Sequence, residues 1–381
     1  MVKCRAATSS DVHREDAVAE AARLVATIAA PLDPASSDAP EVLHWPGRRL
    51  LVQRGDTELV TLDLRSPEAG PGSEVRFPAP WSRRFGTATV SPEQDAAVFA
   101  GVHEVQSVTA TGAPRWKIRH GCRCSSCSET HLTFDEYSRD DDHAHAEEGS
   151  AAFSCDGSLV WAHVIGPLAD APETDAEQEL WVVLDAASGR VLDHAETMTA
   201  ASNSVHTPYP DPARMGLSIG EGEEDSPALR GLWNGHELTV ESIGIERILL
   251  DVSPTGRELL TVPLGQWSLA IHDARDGSIR RELEAAGTVP PHPVNTDGGR
   301  VFWDYEAAFV DDDTIIAGTA ECDARYGTIR HWVVDARTMA LRSEVTYPSP
   351  VWGRPRSAGD GIWYTVSKGG AAVHLWRLAK E

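Results

Sequence analysis

A strand–turn–strand unit recurs along most of this chain. Each copy has an apolar stretch, a short turn of Ser, Pro, Asp or Gly, and a second apolar stretch. The copies are "VSPEQDAAVFAG" from Val90, "FSCDGSLVWAHV" from Phe153, "VSPTGRELLTVPL" from Val252, "FVDDDTIIAGT" from Phe309 and "RSAGDGIWYTV" from Arg356. In three units a further hairpin follows, with "DAASG", "DARDG" and "DARTM" at equivalent turns. Short β-rich runs between turn residues indicate antiparallel strands, so the repeated unit is a four-stranded sheet.

A repeat of this kind predicts sheets arranged in a ring. One four-stranded sheet cannot bury both of its faces, and repeats of roughly 40 to 50 residues are typical of propeller blades. Counting the units predicts an all-β, seven-bladed β-propeller over residues 41–381, with only three strands in its last blade. The chain resembles the WD40-like and YVTN-like β-propeller group, in particular its versions from high-GC bacteria, although it has no complete GH…WD signature. This resemblance implies a fold and leaves the chemistry open.

Residues 1–40 are expected to complete the ring and to add a helix. A three-stranded last blade has an open edge, which "VKCRAAT" near the N-terminus is predicted to close as a fourth strand. Asp11 is a suitable N-cap for a short helix in "VHREDAVAEAARLVATIAA", in which Val18, Ala22, Val25 and Ile28 have helical spacing.

Charge and hydropathy exclude several classes of partner. The chain has 58 acidic and 34 basic residues, a formal net charge of −24, and no basic stripe for phosphate. We therefore expect no nucleic-acid partner and no anionic membrane surface. No apolar run approaches the ~20 residues of a spanning helix. The N-terminal sequence does not have the order of a signal peptide, so we expect a cytoplasmic protein whose thiols are reduced.

The stretch "HGCRCSSCSETH" (120–131) is the clearest candidate site. It lies in a predicted insertion, residues 121–148, between the second and third blades. Three thiols and an imidazole in one loop can close on a single zinc ion, with Arg119 and Arg123 expected to lower the thiol pKa values. The predicted ligands are Cys122, Cys124, Cys127 and His131, with His120, His143 and His145 as competitors for the fourth position. A reduced loop without an ion, or redox, iron–sulfur or copper chemistry, is the alternative.

A second set of candidates lies on other connections of the same predicted face. Candidate acid–base or metal-binding residues are His206, His292, Asp304 and Glu306. Candidate ligand-binding residues are Trp303, Tyr305, Trp352 and Arg354. For the two histidines a structural role in their loops, and for Trp303 and Trp352 packing between blades, is the simpler interpretation.

Two functions follow from these patterns. The first is a metal-binding β-propeller that acts as a scaffold for a protein or peptide. The alternative is an enzyme acting on a small metabolite, for which the histidines and carboxylates must converge within about 3–4 Å of one point. The sequence names neither a partner nor a substrate.

Overall fold

The computed structural model describes residues 19–64, 73–122, 124, 127, 130–143, 149–169, 174–175, 178–201, 203–221, 226–295 and 298–379. Within these ranges the regular secondary structure is almost entirely β-strand. The only α-helix among them is one turn, α1 (Ala320–Asp323). Short 3-10 turns lie at Arg83–Phe85, Phe134–Glu136, Asp141–His143 and Ala324–Tyr326.

The first three sheets each contain four consecutive antiparallel strands. The first has β2 (Glu41–Trp45), β3 (Arg48–Arg54), β4 (Glu58–Asp63) and β5 (Glu74–Pro78). The second has β6 (Gly86–Val90), β7 (Ala97–Gly101), β8 (Glu104–Val108) and β9 (Pro114–Arg119). The third has β10 (Ser150–Phe153), β11 (Leu159–Ile165), β12 (Glu179–Asp185) and β13 (Val191–Glu196).

The next two sheets repeat the same order. One has β14 (Asn203–Pro208), β15 (Arg214–Gly220), β16 (Ala228–Trp233) and β17 (Leu238–Gly244). The other has β18 (Arg247–Val252), β19 (Glu258–Pro263), β20 (Ser268–Asp273) and β21 (Ile279–Glu284).

The remaining strands form one eight-stranded sheet, in the order β22-β23-β24-β25-β1-β28-β27-β26. One half has β22 (Ala307–Asp311), β23 (Thr314–Gly318), β24 (His331–Asp335) and β25 (Ala340–Thr346). The other has β26 (Arg356–Ser357), β27 (Trp363–Val366), β28 (Ala372–Leu378) and β1 (Glu20–Ala29). The halves meet at two parallel pairs between β1 and β25.

The sheets are arranged radially. The first strands contact one another in succession from β6 through β10, β14, β18 and β22 to β26. Residues of β2 and of all these first strands line one central cavity of about 1070 Å³. The apolar core lies between consecutive sheets; one cluster, for example, joins Val98 and Ile118 to Val160 and Leu180. This arrangement explains the repeat, because each sheet buries its faces against its neighbours.

The predicted N-terminal helix is wrong for residues 20–29, which form strand β1. This strand runs antiparallel to β28 and buries Ala22 and Ile28. The unpaired edge of β28 provides a row of backbone hydrogen bonds, and such tertiary pairing outweighs the weak helical preference of an alanine-rich segment. An N-terminal segment therefore does add a strand to the last sheet, and that segment is Glu20–Ala29. The other segment proposed for that role, residues 2–8, lies outside the described residues, as do residues 11–18.

Candidate metal centre

The Cys/His loop leaves the end of β9 and returns to β10. Cys122 and Cys124 are buried in the same apolar cluster as Trp81 and Phe85. This cluster lies between the β2–β5 and β6–β9 sheets. None of the loop's described side chains is among those lining the central cavity. The loop is therefore packed on the ring, beside the cavity.

Four side chains of this loop converge. The ligand atoms of Cys122, Cys127, His131 and His143 all lie within 4.8 Å of one another. Three of these residues belong to the predicted set, and His143 is one of its predicted competitors. Cys122, His131 and His143 are buried, and Cys127 is half-buried.

The separations within this group match those around a tetrahedral ion. His131 Nε2 is 3.2 Å from His143 Nε2 and 3.4 Å from Cys127 Sγ. With zinc bonds of ~2.0 Å to nitrogen and ~2.3 Å to sulfur, tetrahedral geometry separates two nitrogens by ~3.3 Å and a sulfur from a nitrogen by ~3.5 Å. The side chains are thus already at ligand spacing.

Neighbouring carboxylates fix the orientation of both imidazoles. His143 Nδ1 is 2.9 Å from Asp140 Oδ2, and His131 Nδ1 is 3.4 Å from Glu136 Oε2. A ring nitrogen facing a carboxylate carries the proton, which leaves the lone pair on Nε2. Two such lone pairs facing each other at 3.2 Å repel unless a cation lies between them. This tautomer assignment is the strongest local indication of a metal.

The carboxylates have further partners that hold them in place. The pKa of Asp140 is lowered, first by the backbone N–H of Asp142 and then by His143. The pKa of Glu136 is lowered, first by the backbone N–H of Leu132 and also by His131. Both groups therefore remain charged acceptors at neutral pH.

Tyr137 supports the centre from one side. Its ring stacks on His143, with 5.2 Å between centroids and 24° between planes, and its centroid is 4.9 Å from that of His131. Its hydroxyl lies within hydrogen-bond distance of His103 Nδ1 on the β7–β8 turn. The loop is thereby tied to the sheet through an aromatic side chain as well as through its cysteines.

Cys124 does not belong to the converging group. Its thiol donates to Asp142 O at 3.2 Å, and its backbone N–H donates to Cys122 Sγ at 3.4 Å. An N–H directed at a sulfur stabilises the thiolate form, so Cys124 supports the Cys122 ligand through its backbone. The converging group therefore contains His143 in the place that the sequence prediction gives to Cys124.

The expected lowering of the thiol pKa values is wrong for Cys122. Burial raises the pKa of its thiol to about 12, and the neighbouring thiols of Cys127 and Cys124 raise it further. Arg123 lies outside the described residues. A cation that binds here must displace a proton, so binding is expected to weaken as pH falls.

The predicted catalytic residues do not form one site. His206 accepts from Trp181 Nε1 at 3.0 Å and donates to Ser150 Oγ at 3.0 Å, and burial lowers its pKa to about 3. His292 stacks on Tyr326 and has its Nε2 2.7 Å from Thr328 Oγ1.

The two predicted catalytic carboxylates, Asp304 and Glu306, also interact with different partners. Asp304 is buried and accepts from the backbone N–H groups of Ala320 and Glu321, at 2.9 Å each. Glu306 lines the cavity and pairs with Arg356. His206 also lines the cavity, whereas His292 and Asp304 do not. The convergence that an acid–base site requires is not formed.

The predicted ligand-binding residues separate into buried and exposed positions. Trp303 is fully buried in the core, and its ring N–H donates to Leu283 O, so its prediction as a ligand contact is wrong. Tyr305 lines the cavity and donates to Leu264 O at 2.6 Å. Trp352 is 40% exposed, and Arg354 forms an ion pair with Glu321. The exposed Trp352 and the half-buried Arg354 lie on the connection between β25 and β26.

Radial four-stranded sheets around a central cavity define a β-propeller. Among solved structures, a chain of a mitotic checkpoint complex covers all of this chain, with a TM-score of 0.52, 8% identity and 97% of that chain covered. Two further matches are BamB from Moraxella catarrhalis and the Cps50 (Swd1) β-propeller domain from Myceliophteria thermophila. BamB has a TM-score of 0.48 and 13% identity, with 94% of this chain and 98% of that chain covered. The Cps50 domain has a TM-score of 0.36 and 9% identity, with 78% and 97% covered.

The predicted WD40-like β-propeller fold is confirmed. At these identities the likeness concerns the fold alone. The sequence matches no protein-family profile and no curated protein sequence. Among the described residues no helix has the length and apolarity to cross a membrane.

Proposed function

We propose that this chain is a zinc-stapled, seven-bladed β-propeller that serves as a protein- or peptide-binding scaffold. Zinc is held by Cys122, Cys127, His131 and His143. The observation that most supports a metal is that the Nε2 atoms of His131 and His143 face each other at 3.2 Å.

The donor set supports a structural zinc. Two thiolates and two imidazoles are ligands that zinc prefers, and two thiolates balance its charge. Catalytic zinc sites keep one position open for water or substrate, whereas structural sites use four protein ligands. Here four side chains converge away from the central cavity, so the ion holds residues 121–148 in shape. Copper competes for the same ligands in vitro by the Irving–Williams order.

The apolar core supports the proposed count of seven blades. The described residues form seven apolar clusters, and each joins two consecutive sheets when the eight-stranded sheet is counted as two halves. In this proposal residues 41–381 are the propeller, with the insertion at 121–148, and residues 1–40 contribute the closing strand. A cytoplasmic, reducing location remains part of the proposal because the ligand thiols must stay reduced.

The scaffold role is favoured over an enzyme by what the candidate residues do. His206, His292 and Asp304 each hydrogen-bond to nearby backbone or side-chain groups, which gives each of them a structural role without catalysis. A ring with an insertion at one end of its sheets presents a broad surface, which suits a macromolecular partner.

Elemental analysis of the purified protein and its variants tests the metal. We expect one zinc per chain in the wild type, and loss of zinc in Cys122→Ser, Cys127→Ser and His143→Ala. The Cys124→Ser variant distinguishes a ligand set that contains Cys124 from one that contains His143. The variant retains zinc if His143 is the fourth ligand and loses it if Cys124 is. Cys155→Ser is the matched control, because Cys155 is a half-buried thiol outside the group. Zinc retained without Cys122 and Cys127 contradicts the proposal.

A further inference from the structure

Two tryptophans differ from the other ten in exposure. Trp267 is 46% exposed and Trp352 is 40% exposed, whereas nine others are buried and Trp233 is half-buried. Exposed tryptophan is uncommon, and tryptophan is enriched among the residues that dominate binding energy at interfaces. The pair therefore marks a candidate interface.

Both tryptophans lie on the same face of the ring as the Cys/His loop. Trp267 ends the turn between β19 and β20, and Trp352 lies on the connection from β25 to β26. In a four-stranded antiparallel sheet, the turn between the second and third strands lies at the same end as the exit from the fourth strand. The Cys/His loop leaves β9 at that end too.

A polar bridge makes the surface between the tryptophans continuous. Gln266 Nε2 donates to Glu321 Oε2 at 3.0 Å, and Arg354 donates to the same oxygen at 3.0 Å. Lys368 Nζ lies 4.4 Å from the centroid of the Trp352 ring. We call the set of Gln266, Trp267, Glu321, Trp352, Arg354 and Lys368 the tryptophan surface.

The charge of this surface has the opposite sign to that of the chain. Arg354 balances Glu321, which leaves the exposed Lys368 in excess. Arg325 is exposed on the 3-10 turn that follows α1, on the same connection between β23 and β24 as Glu321. Its Cζ atom lies 4.7 Å from the centroid of the Tyr326 ring. Within the described ranges, neither Lys368 nor Arg325 has a carboxylate within ion-pair distance. A local positive excess on a chain of net charge −24 is complementary to an acidic partner.

We propose that the tryptophan surface docks an acidic segment of a partner protein that carries an aromatic or aliphatic side chain. The apolar side chain packs on Trp267 or Trp352, and the carboxylates pair with Lys368 and Arg325. This inference rests on the proposed scaffold function and names the chemistry of its partner.

A random dodecapeptide display library, selected on the full-length wild-type protein, tests the surface. We expect the recovered peptides to be enriched in Asp and Glu together with aromatic or aliphatic residues. Nonspecific attraction to a chain of charge −24 enriches basic peptides, so acidic enrichment is diagnostic. Synthetic copies of the peptides are then titrated by fluorescence polarisation against folded variants.

The variants are Trp267→Ala/Trp352→Ala and Lys368→Glu, with Ile279→Ala as control. Ile279 is 49% exposed at the start of β21, at the opposite end of the sheet. We expect affinity to fall at least ~10-fold in the first two and to stay unchanged in the control. Zinc content should be the same in all three.

Three outcomes overturn the inference. Enrichment in Lys and Arg, or binding that survives in the double tryptophan variant, overturns this surface while the scaffold function stands. Recovery of no peptide overturns the surface and the scaffold together. Sedimentation that shows a wild-type dimer, abolished by the tryptophan changes, identifies a second copy as the occupant and rejects an external acidic segment.

Discussion

At the scale of single residues, Asp304 shows how a buried carboxylate can resemble a catalytic one. Burial raises its pKa to about 6, while the backbone N–H groups of Glu321 and Ala320 lower it. Those two N–H groups belong to the first turn of α1, which has no other side-chain cap. Asp304 thus serves as a cap supplied from a neighbouring segment.

Asp304→Ala should lower the free energy of unfolding by about 1–3 kcal/mol, because it leaves two N–H groups without their acceptor. Urea unfolding measures this change. Glu93→Ala, which removes an exposed carboxylate, should change it by less than ~0.5 kcal/mol. Unchanged stability in Asp304→Ala would contradict the capping role.

The sequence predicts three of the four side chains that converge at the candidate metal site, namely Cys122, Cys127 and His131. The spacing of Cys122, Cys127 and His131 is local, so it is visible in the sequence. The choice among His120, His131, His143 and His145 depends on the path of the loop, and the 3-10 turn at Asp141–His143 sets that path. The role of Cys124 depends on the direction of its side chain, which spacing does not specify.

At the scale of elements, β1 is the clearest case of tertiary pairing that overrides local preference. Ala22, Val25 and Ile28 have the spacing of a helix, which a regular strand does not share, and β1 has a register shift between Leu24 and Ala26. The pattern predicts the closing strand at residues 2–8 and a helix over Glu20–Ala29, whereas Glu20–Ala29 is itself a strand of the last sheet. The antiparallel pairing with β28 is what makes Glu20–Ala29 a strand.

Ile28→Ala should destabilise the protein by about 2–4 kcal/mol, because Ile28 is 3% exposed in the core between β1, β28 and the β2–β5 sheet. Leu24→Ala in the same strand is the matched control. Leu24 is 40% exposed, so its removal should cost less than ~1 kcal/mol. Equal effects in thermal or urea unfolding would show that β1 does not pack as described.

At the scale of the whole molecule, packing between sheets leaves several histidines buried and neutral. His331 is 1% exposed, its Nδ1 is 2.6 Å from Tyr347 OH, and its Nε2 is 3.1 Å from Gly353 O. Burial lowers its pKa from 6.5 to about 4. Burial also raises the pKa of Asp251 to about 7, which has the opposite effect on stability.

His331 should make the protein less stable in acid. Between pH 6.5 and 4 the unfolded chain binds a proton that the folded chain excludes, so stability is lost as pH falls through this range. In His331→Gln the slope of unfolding free energy against pH should be smaller by about 1.4 kcal/mol per pH unit. The contribution of Asp251 cancels in this comparison. An identical slope in both proteins would contradict a neutral, buried His331.

The ring itself was predictable because each of its sheets repeats the same pattern of strands and turns. What the repeat could not predict is the function of its connections, since they are the parts that differ from one sheet to the next. The Cys/His loop and the tryptophan surface both lie on such connections.

The most direct test of the central claim is X-ray absorption at the zinc edge of the purified wild-type protein. Ligation by Cys122, Cys127, His131 and His143 predicts two sulfurs at ~2.3 Å and two imidazole nitrogens at ~2.0 Å. Three sulfurs around the ion would make Cys124 a ligand and contradict the arrangement described here. A protein purified without any metal, and unable to bind added zinc, would contradict the staple itself.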